Sequence, residues 1–279
     1  FLKGCPLRCQ WCHNPEGIAL DFHLSFTSSR CIACGECVRS CSHGVHVLDS
    51  QGGHVLRREL CHVCGTCAER CCTGALEVVG RDVSVEEALD EVLRDRPFYE
   101  TSGGGLTVSG GDPLIQLDFT EALLAGAKAS GLHCAIETCG HARFERLARL
   151  LPYVDLFIYD IKETDPVRHR EYTGVTNTVI LRNLRSLHDA GASVLVRLPI
   201  VPGLNDRLDH FEGVAAVVRT LPRLVGVEVM PYHRLGTTKR ARMGISPFEE
   251  LDVAPPKQDA VARWVQILKE KGVPVTNDL

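Results

Sequence analysis

Cys5, Cys9 and Cys12 stand in the run Cys5-Pro-Leu-Arg-Cys9-Gln-Trp-Cys12, separated by gaps of three and two residues. Thiolates this close together converge on one metal centre. Three of them hold three irons of a 4Fe–4S cubane and leave the fourth iron open, and an open metal position is a place for a substrate to bind. Zinc is the alternative, because a structural zinc site takes four ligands and the adjacent His13 can supply the fourth. Of the 14 cysteines, twelve lie within the first 72 residues, in three tight groups. A disulfide scaffold of this density is normally short and loop-rich, whereas this chain has 279 residues of which 44% are hydrophobic. Disulfides do not need two-residue gaps; metal centres do.

The second and third groups repeat each other. Cys31, Cys34, Cys37 and Cys41 have gaps of two, two and three, and so do Cys61, Cys64, Cys67 and Cys71. This is the spacing of bacterial two-cluster ferredoxins, in which the fourth cysteine of each run crosses to the other cluster. It assigns Cys31, Cys34, Cys37 and Cys71 to one 4Fe–4S cluster, and Cys61, Cys64, Cys67 and Cys41 to a second. The proline that usually follows the last cysteine is replaced by Ser42 and Cys72. Cys72 competes with Cys71, and the register favours Cys71. A pair of zinc knuckles is the alternative use of four-cysteine groups. Electron delivery is the expected role, with a structural or docking role as the alternative.

These groups need elements to hold them. Residues 1–25 carry the first motif and residues 26–80 form the Cys-dense insert. Beyond residue 80 the texture changes to alternating strand and helix signals. Ser84-Val-Glu-Glu87 is a capping box, and behind it Val85, Ala88, Leu89, Val92 and Leu93 mark one apolar helix face. Three glycines, 103 to 105, lead into a strand at 106–109. Further buried strands are expected at 134–137, 156–161, 194–200 and 227–230, with helices near 117–129, 142–151, 178–190, 209–220 and 257–271. Repeated β-α units imply a parallel sheet with right-handed crossovers. Counting a strand that leads into Cys5, six units are expected, fewer than a closed eight-fold barrel. The expected architecture is α/β, a partial barrel open on one side, with its functional residues at the carboxyl ends of the strands. That first strand implies native residues upstream of Phe1. A net charge of -4 and a pI near 6.3 offer no broad basic field for nucleic acid or anionic lipid. No apolar run approaches the roughly 18 residues that cross a bilayer. A cytoplasmic monomer with no nucleic-acid or membrane partner is expected.

The cluster loop from Phe1 to Glu16 resembles that of the glycyl-radical-enzyme activating enzymes of the radical S-adenosylmethionine (SAM) superfamily. So do Ser102-Gly-Gly-Gly-Leu-Thr-Val-Ser-Gly-Gly-Asp-Pro-Leu114, Glu137-Thr-Cys-Gly140, Asp160-Ile-Lys162, Arg197-Leu-Pro-Ile-Val-Pro-Gly203 and Pro231-Tyr-His-Arg-Leu-Gly236. The matches occur in family order and span nearly the whole chain. The resemblance implies a partial (β/α)6 radical SAM barrel, residues 1–25 and 81–279, with a ferredoxin-like two-cluster domain inserted at 26–80. It implies three 4Fe–4S clusters, one of them, on Cys5, Cys9 and Cys12, binding SAM through its open iron. Trp11, Cys12 and His13 would sit beside SAM. Gly110 and Gly111 would offer close backbone approach to the methionine amino group, with Asp112 next to them. Asp160, Ile161 and Lys162 would contact the methionine moiety, Lys162 as a cation for its carboxylate. Arg197 and His233 would face the cofactor, and Glu137 would bind a cation or SAM. Lys162 and His233 join the three cysteines as catalytic candidates. The bland alternatives are a helix cap for a strand-end carboxylate and a satisfied structural residue for a lone histidine. Two departures stand out: Asp112 where the family usually has Glu, and Cys139 where Ser or Asn is common. Cys134 and Cys139 read as packed thiols.

The activity implied is reduction of the first cluster, by the auxiliary clusters or by an external flavodoxin or ferredoxin, followed by homolysis of SAM to methionine and a 5′-deoxyadenosyl radical. That radical would take a hydrogen from a backbone glycine of a partner glycyl radical enzyme. The alternatives are a radical SAM enzyme acting on a small molecule or peptide, and a non-catalytic iron–sulfur electron carrier.

Overall fold

The computed structural model describes residues 1–245 and 251–277. Its first part is a small unit of two antiparallel two-stranded sheets. Strand β1 (His23–Phe26) opens it, followed by helix α1 (Glu36–Ser40), strands β2 (His46–Leu48) and β3 (His54–Leu56), helix α2 (Thr66–Glu69) and strand β4 (Leu76–Val79). β1 pairs antiparallel with β4, and β2 with β3. The internal repeat is structural as well as sequential, with an offset of 30 residues. Ala33 and Val63 share a φ of 52°, and each is followed two residues later by a left-handed glycine, Gly35 or Gly65. The short helices after them pack against each other. A left-handed non-glycine residue is uncommon, so its recurrence at the same place in both cysteine loops marks one backbone design used twice.

The remainder is a five-stranded parallel sheet in chain order. Helices α3 (Val85–Leu93) and α4 (Arg96–Ser102) precede it. Then come β5 (Gly105–Val108), α5 (Leu117–Ala129), β6 (His133–Thr138), α6 (Phe144–Leu150) and β7 (Leu156–Asp160). After them run α7 (Pro166–Thr173), α8 (Thr178–Asp189), β8 (Val194–Ile200), α9 (Leu208–Arg219), β9 (Gly226–Pro231), α10 (Leu235–Met243) and α11 (Gln258–Glu270). Strands β7 and β8 are mostly Val/Ile/Leu/Phe runs buried on both faces, as central parallel strands under helices are. Phe157, Val196 and Val227 from the sheet meet Leu124, Leu147, Leu184, Val214 and Leu268 from the helices in one core. The capping box is present: Ser84 Oγ accepts from Glu87 N at 3.1 Å, and Ser84 N donates to Glu87 at 2.7 Å.

Six β-α units were expected, and among the described residues five strands make up the parallel sheet. In the sixth position Leu2 makes a single parallel bridge to Gly110, and Gly4 follows it at a φ of 95°. At the opposite edge Val275 bridges to Val227, so both edges of the sheet carry a short extra segment. Helices α4, α7 and α10 were not anticipated.

Candidate active site

The cluster loop is held along its length by backbone hydrogen bonds to the strand ends. Leu2 N donates to Ser109 O at 2.7 Å, Gly111 N to Leu2 O at 2.7 Å, and Asp112 N to Gly4 O at 2.8 Å. Arg8 N and Gln10 N donate to the carbonyls of Thr173 and Tyr172. Trp11 packs edge-on against Tyr172, with ring centroids 5.9 Å apart. From α10, Arg240 donates to Cys9 O at 3.1 Å, and Lys239 Nζ reaches Asn14 Oδ1 at 2.9 Å. The C-terminal helical region thus clamps the loop that the sheet supports from the other side.

Cys5, Cys9 and Cys12 open together onto a cavity of about 190 Å³ at the carboxyl ends of the strands. Trp11, His13, Gly110, Gly111, Glu137, Asp160, Lys162 and Arg197 also line it. Burial pushes the Cys9 thiol up to about 12 and raises Cys12, while Cys5 is lowered by a hydrogen bond with Cys139. Burial thus opposes the thiolate at Cys9 and Cys12, and a bound metal would favour it. Lys162 Nζ donates to Asp160 Oδ2 at 2.8 Å. Burial works against the ammonium, yet Asp160 and Cys9 outweigh it and raise its pKa. A permanent cation thus faces the cysteines. His13 and His233 stack with ring centroids 3.6 Å apart, and burial takes His13 down to about 4. His13 Nε2 and His233 Nδ1 are buried with no partner among the described residues. His13 lines the cavity, whereas His233, expected to face the cofactor, is stacked on His13 and does not line it.

Several expected roles change. Asp112 is 1% exposed and does not line the cavity. Its carboxylate accepts from Leu114 N, Thr138 Oγ1, Cys139 N and Cys139 Sγ at 2.9–3.0 Å, tying β5 to β6. The shortened side chain turns inward instead of toward a cofactor. Ile161 is 1% exposed in the core, since alternation along the strand end sends Asp160 and Lys162 to the cavity and the residue between them away from it. Gly110 and Gly111 line the cavity, but their missing Cβ atoms make room first for the chain itself. A Cβ at Gly110 would lie 2.2 Å from Leu2 N, and one at Gly111 2.2 Å from Gly4 O. Arg197 donates to both Glu137 and Glu228, and Ser109 donates to Glu137. These two cavity residues are thus already paired with each other. Cys139 and Cys134 are both buried thiols as expected, Cys139 packed with Cys9 and Trp11 and also lining the cavity beside Cys5. Sequence reasoning missed Ser109, Asn14, Pro199 and Met230, which also line the cavity. Ser109 belongs to a motif already singled out, and strand alternation before Gly110 would have found it.

In the insert, Cys31, Cys34, Cys37 and Cys71 line one cavity. Cys67 is pushed up to about 11, first by burial, then by Cys61, Cys64 and Cys41 close to it. Cys72 is exposed.

A parallel sheet with a three-cysteine loop at its carboxyl edge defines a class. The family model described as the radical SAM superfamily matches residues 1–215, and the chain belongs to that superfamily. Membership implies SAM and a 4Fe–4S cluster as cofactors, and the three thiols facing a cation in one cavity fit them. An isethionate sulfite-lyase activating enzyme from Nitratidesulfovibrio vulgaris is 42% identical over 86% of this chain and 79% of its own length. A choline trimethylamine-lyase activating enzyme from Oleidesulfovibrio alaskensis is 40% identical over 88% of this chain and 80% of its own. A solved domain of a pyruvate-formate lyase-activating enzyme from Bacteroides vulgatus superposes with a TM-score of 0.52 at 26% identity, covering 62% of this chain and 98% of that one. Within the superfamily, the chain belongs with the activating enzymes of glycyl radical enzymes. Among the described residues no helix is long and apolar enough to cross a membrane.

Proposed function

We propose that this chain installs the radical of a partner glycyl radical enzyme. The observation that carries this is the convergence of Cys5, Cys9, Cys12 and Lys162 on one open cavity, in a chain whose relatives are activating enzymes. With the cluster and SAM bound, the site supplies one-electron reductive cleavage of SAM and removal of hydrogen from a backbone glycine of the partner. The three cysteines would hold the cluster. Lys162, oriented by Asp160, would bind a carboxylate. The Trp11–Tyr172 contact and the Arg240 bond to Cys9 O keep the loop from drifting, as orientation demands. His13 would offer its orphaned nitrogen to a polar group of SAM, with His233 stacked against its ring. The opening of the cavity leaves space for a protein loop.

Residues 26–80 form, on this reading, a ferredoxin-like insert carrying two further 4Fe–4S clusters, one on Cys31, Cys34, Cys37 and Cys71 and one on Cys61, Cys64, Cys67 and Cys41. The shared left-handed loops and the shared cavity of the first quartet support it. The insert delivers electrons from a flavodoxin or ferredoxin to the barrel of a cytoplasmic monomer.

The test is electron paramagnetic resonance of a purified partner after incubation with reduced enzyme and SAM. Wild type is expected to produce a glycyl signal and Cys9→Ala none. Deoxyadenosine formed with no partner radical, across every glycyl radical enzyme of the same genome, would instead point to a small-molecule or peptide substrate.

A further inference from the structure

The 30-residue repeat is broken at one buried pair. Residues 24 and 76, on β1 and β4, are both leucines, buried at 4% and 3%. Their counterparts one repeat away, on β3 and β2, are His54 and His46. The two halves of the insert therefore share backbone and cysteine spacing but differ in chemistry.

His54 sits against the first quartet. Its Nδ1 lies 3.8 Å from Cys31 Sγ and its Nε2 3.8 Å from Cys37 Sγ, and it lines the same cavity as Cys34 and Cys71. His46 Nδ1 stands 2.9 Å from His54 Nε2. The ring of Phe26 packs edge-on against His54 at 4.5 Å, fixing its plane. Proton inventory leaves two arrangements of neutral rings. A metal-bound thiolate only accepts hydrogen bonds. In either one His54 turns an N–H toward a thiolate, Nδ1–H toward Cys31 Sγ or Nε2–H toward Cys37 Sγ. When His46 Nδ1–H is the donor at 2.9 Å, His54 Nε2 accepts and Nδ1–H is the one left for Cys31. His46 Nε2 is then left as an acceptor, and it is buried without a partner.

We infer that His54, its tautomer set by His46, donates a hydrogen bond to a thiolate of the first auxiliary cluster and makes that cluster easier to reduce than its twin. The inference rests on the two-cluster reading of the insert. Hydrogen bonds to the sulfurs tune iron–sulfur potentials, because they stabilise the extra negative charge of the reduced state. In the second half two leucines occupy the corresponding places and offer no donor. The two clusters thus have an order: the second is the stronger reductant, and the first is where an electron rests. His54 is a positioning residue, acting through the thiolate.

A single metal ion is the competing use of these side chains. Ligand atoms of Cys37, His46 and His54 lie within 4.8 Å of one another. Cys37 is already a member of the quartet, and the His46–His54 distance is that of an N–H···N bond, so the hydrogen-bond reading accounts for more of the geometry.

The experiment is a potentiometric titration of the reconstituted holoprotein, followed by paramagnetic resonance, with iron and zinc counted in parallel. About twelve irons in wild type, from three cubanes, establishes the two-cluster reading separately. His54→Leu, which copies the twin site, is expected to keep the iron and lower one auxiliary potential. A roughly tenfold change in the one-electron equilibrium, about 59 mV, is expected. The other two clusters should stay where they were. His46→Leu should shift the same cluster less, in the same direction, and His54→Gln should restore part of the loss through its amide N–H. Unchanged potentials in fully loaded His54→Leu and His46→Leu overturn the inference. So does loss of four irons from both His54→Leu and His54→Gln, which would make His54 a ligand. Zinc bound stoichiometrically in wild type and lost from His46→Leu would overturn it in favour of the single-ion site.

Discussion

Gly236→Ala tests whether α10 sets the height of the cluster loop. Gly236 is the second residue of that helix, and a Cβ built there would lie 2.1 Å from Cys12 O and 3.3 Å from His13 Cα. Contacts below 3.0 Å essentially never occur, so the loop must retreat by about 1 Å. The neighbour is backbone, which cannot swing aside as the end of a flexible side chain can. A displacement of that size at a reacting centre costs on the order of 100-fold in rate. The overpacking itself costs about 1–3 kcal/mol of stability, a fall of several degrees in Tm for a chain of this size. Gly126→Ala is the matched control, also inside a helix. There the nearest atom is the tip of Leu89 at 3.0 Å, and the added methyl should leave SAM cleavage alone and raise stability by about 0.5–1 kcal/mol. The assay is deoxyadenosine formation by reduced, reconstituted enzyme, together with the SAM-induced change in the cluster's resonance signal. Wild-type rates and an unchanged signal for Gly236→Ala would refute the reasoning.

Three other outcomes follow from the same geometry. Cys71→Ser should lose about four irons while Cys72→Ser loses none, since Cys71 lines the quartet cavity and Cys72 is exposed; equal losses would refute the assignment. Lys162→Ala should weaken SAM binding by roughly ten- to a hundredfold without removing iron, the worth of a charge-assisted hydrogen bond of about 1.5–3 kcal/mol; unchanged affinity by equilibrium binding would refute it. Glu163 is buried, which alone would raise its carboxyl, but hydrogen bonding and charge from His210, the Asp165 N–H and Arg207 hold it at about 2. A depressed folded pKa gives stability that is present above the unfolded value and lost as pH falls through the folded one. Wild type should therefore lose about 3 kcal/mol between about pH 4.5 and 2, and urea unfolding of Glu163→Gln should lack that part of the slope.

Much of this was legible in the residues. The cysteine spacings, the helix at Leu117–Ala129 and the strand at Val194–Ile200 could be read directly, because local periodicity and metal geometry depend on neighbours in sequence. Helix α7 was legible too and overlooked: Asp165 accepts from Val167 N and Arg168 N, Pro166 begins the helix, and Gly174 closes it at a φ of 89°. Helix α4 has part of the same signature, Asp95 before it, Pro97 in its first turn and Gly103 closing it at a φ of 70°, but the Asp95 side chain makes no cap bond and none of the helix's residues is buried, so no apolar face marks it. What the tertiary structure alone decided is which face each strand-end residue takes and who its partner is. In a sheet covered on both sides, β7 runs without a polar break from Leu156 to Tyr159 before Asp160, so alternation leaves no trace in the sequence. Only parallel register sets Asp160 beside Arg197 and Arg197 beside Glu228. Partners far apart in the chain turned Asp112 inward, paired Glu137 with Arg197, and set His54 against two cysteine sulfurs. Such contacts depend on distances that folding creates, and sequence spacing carries no record of them.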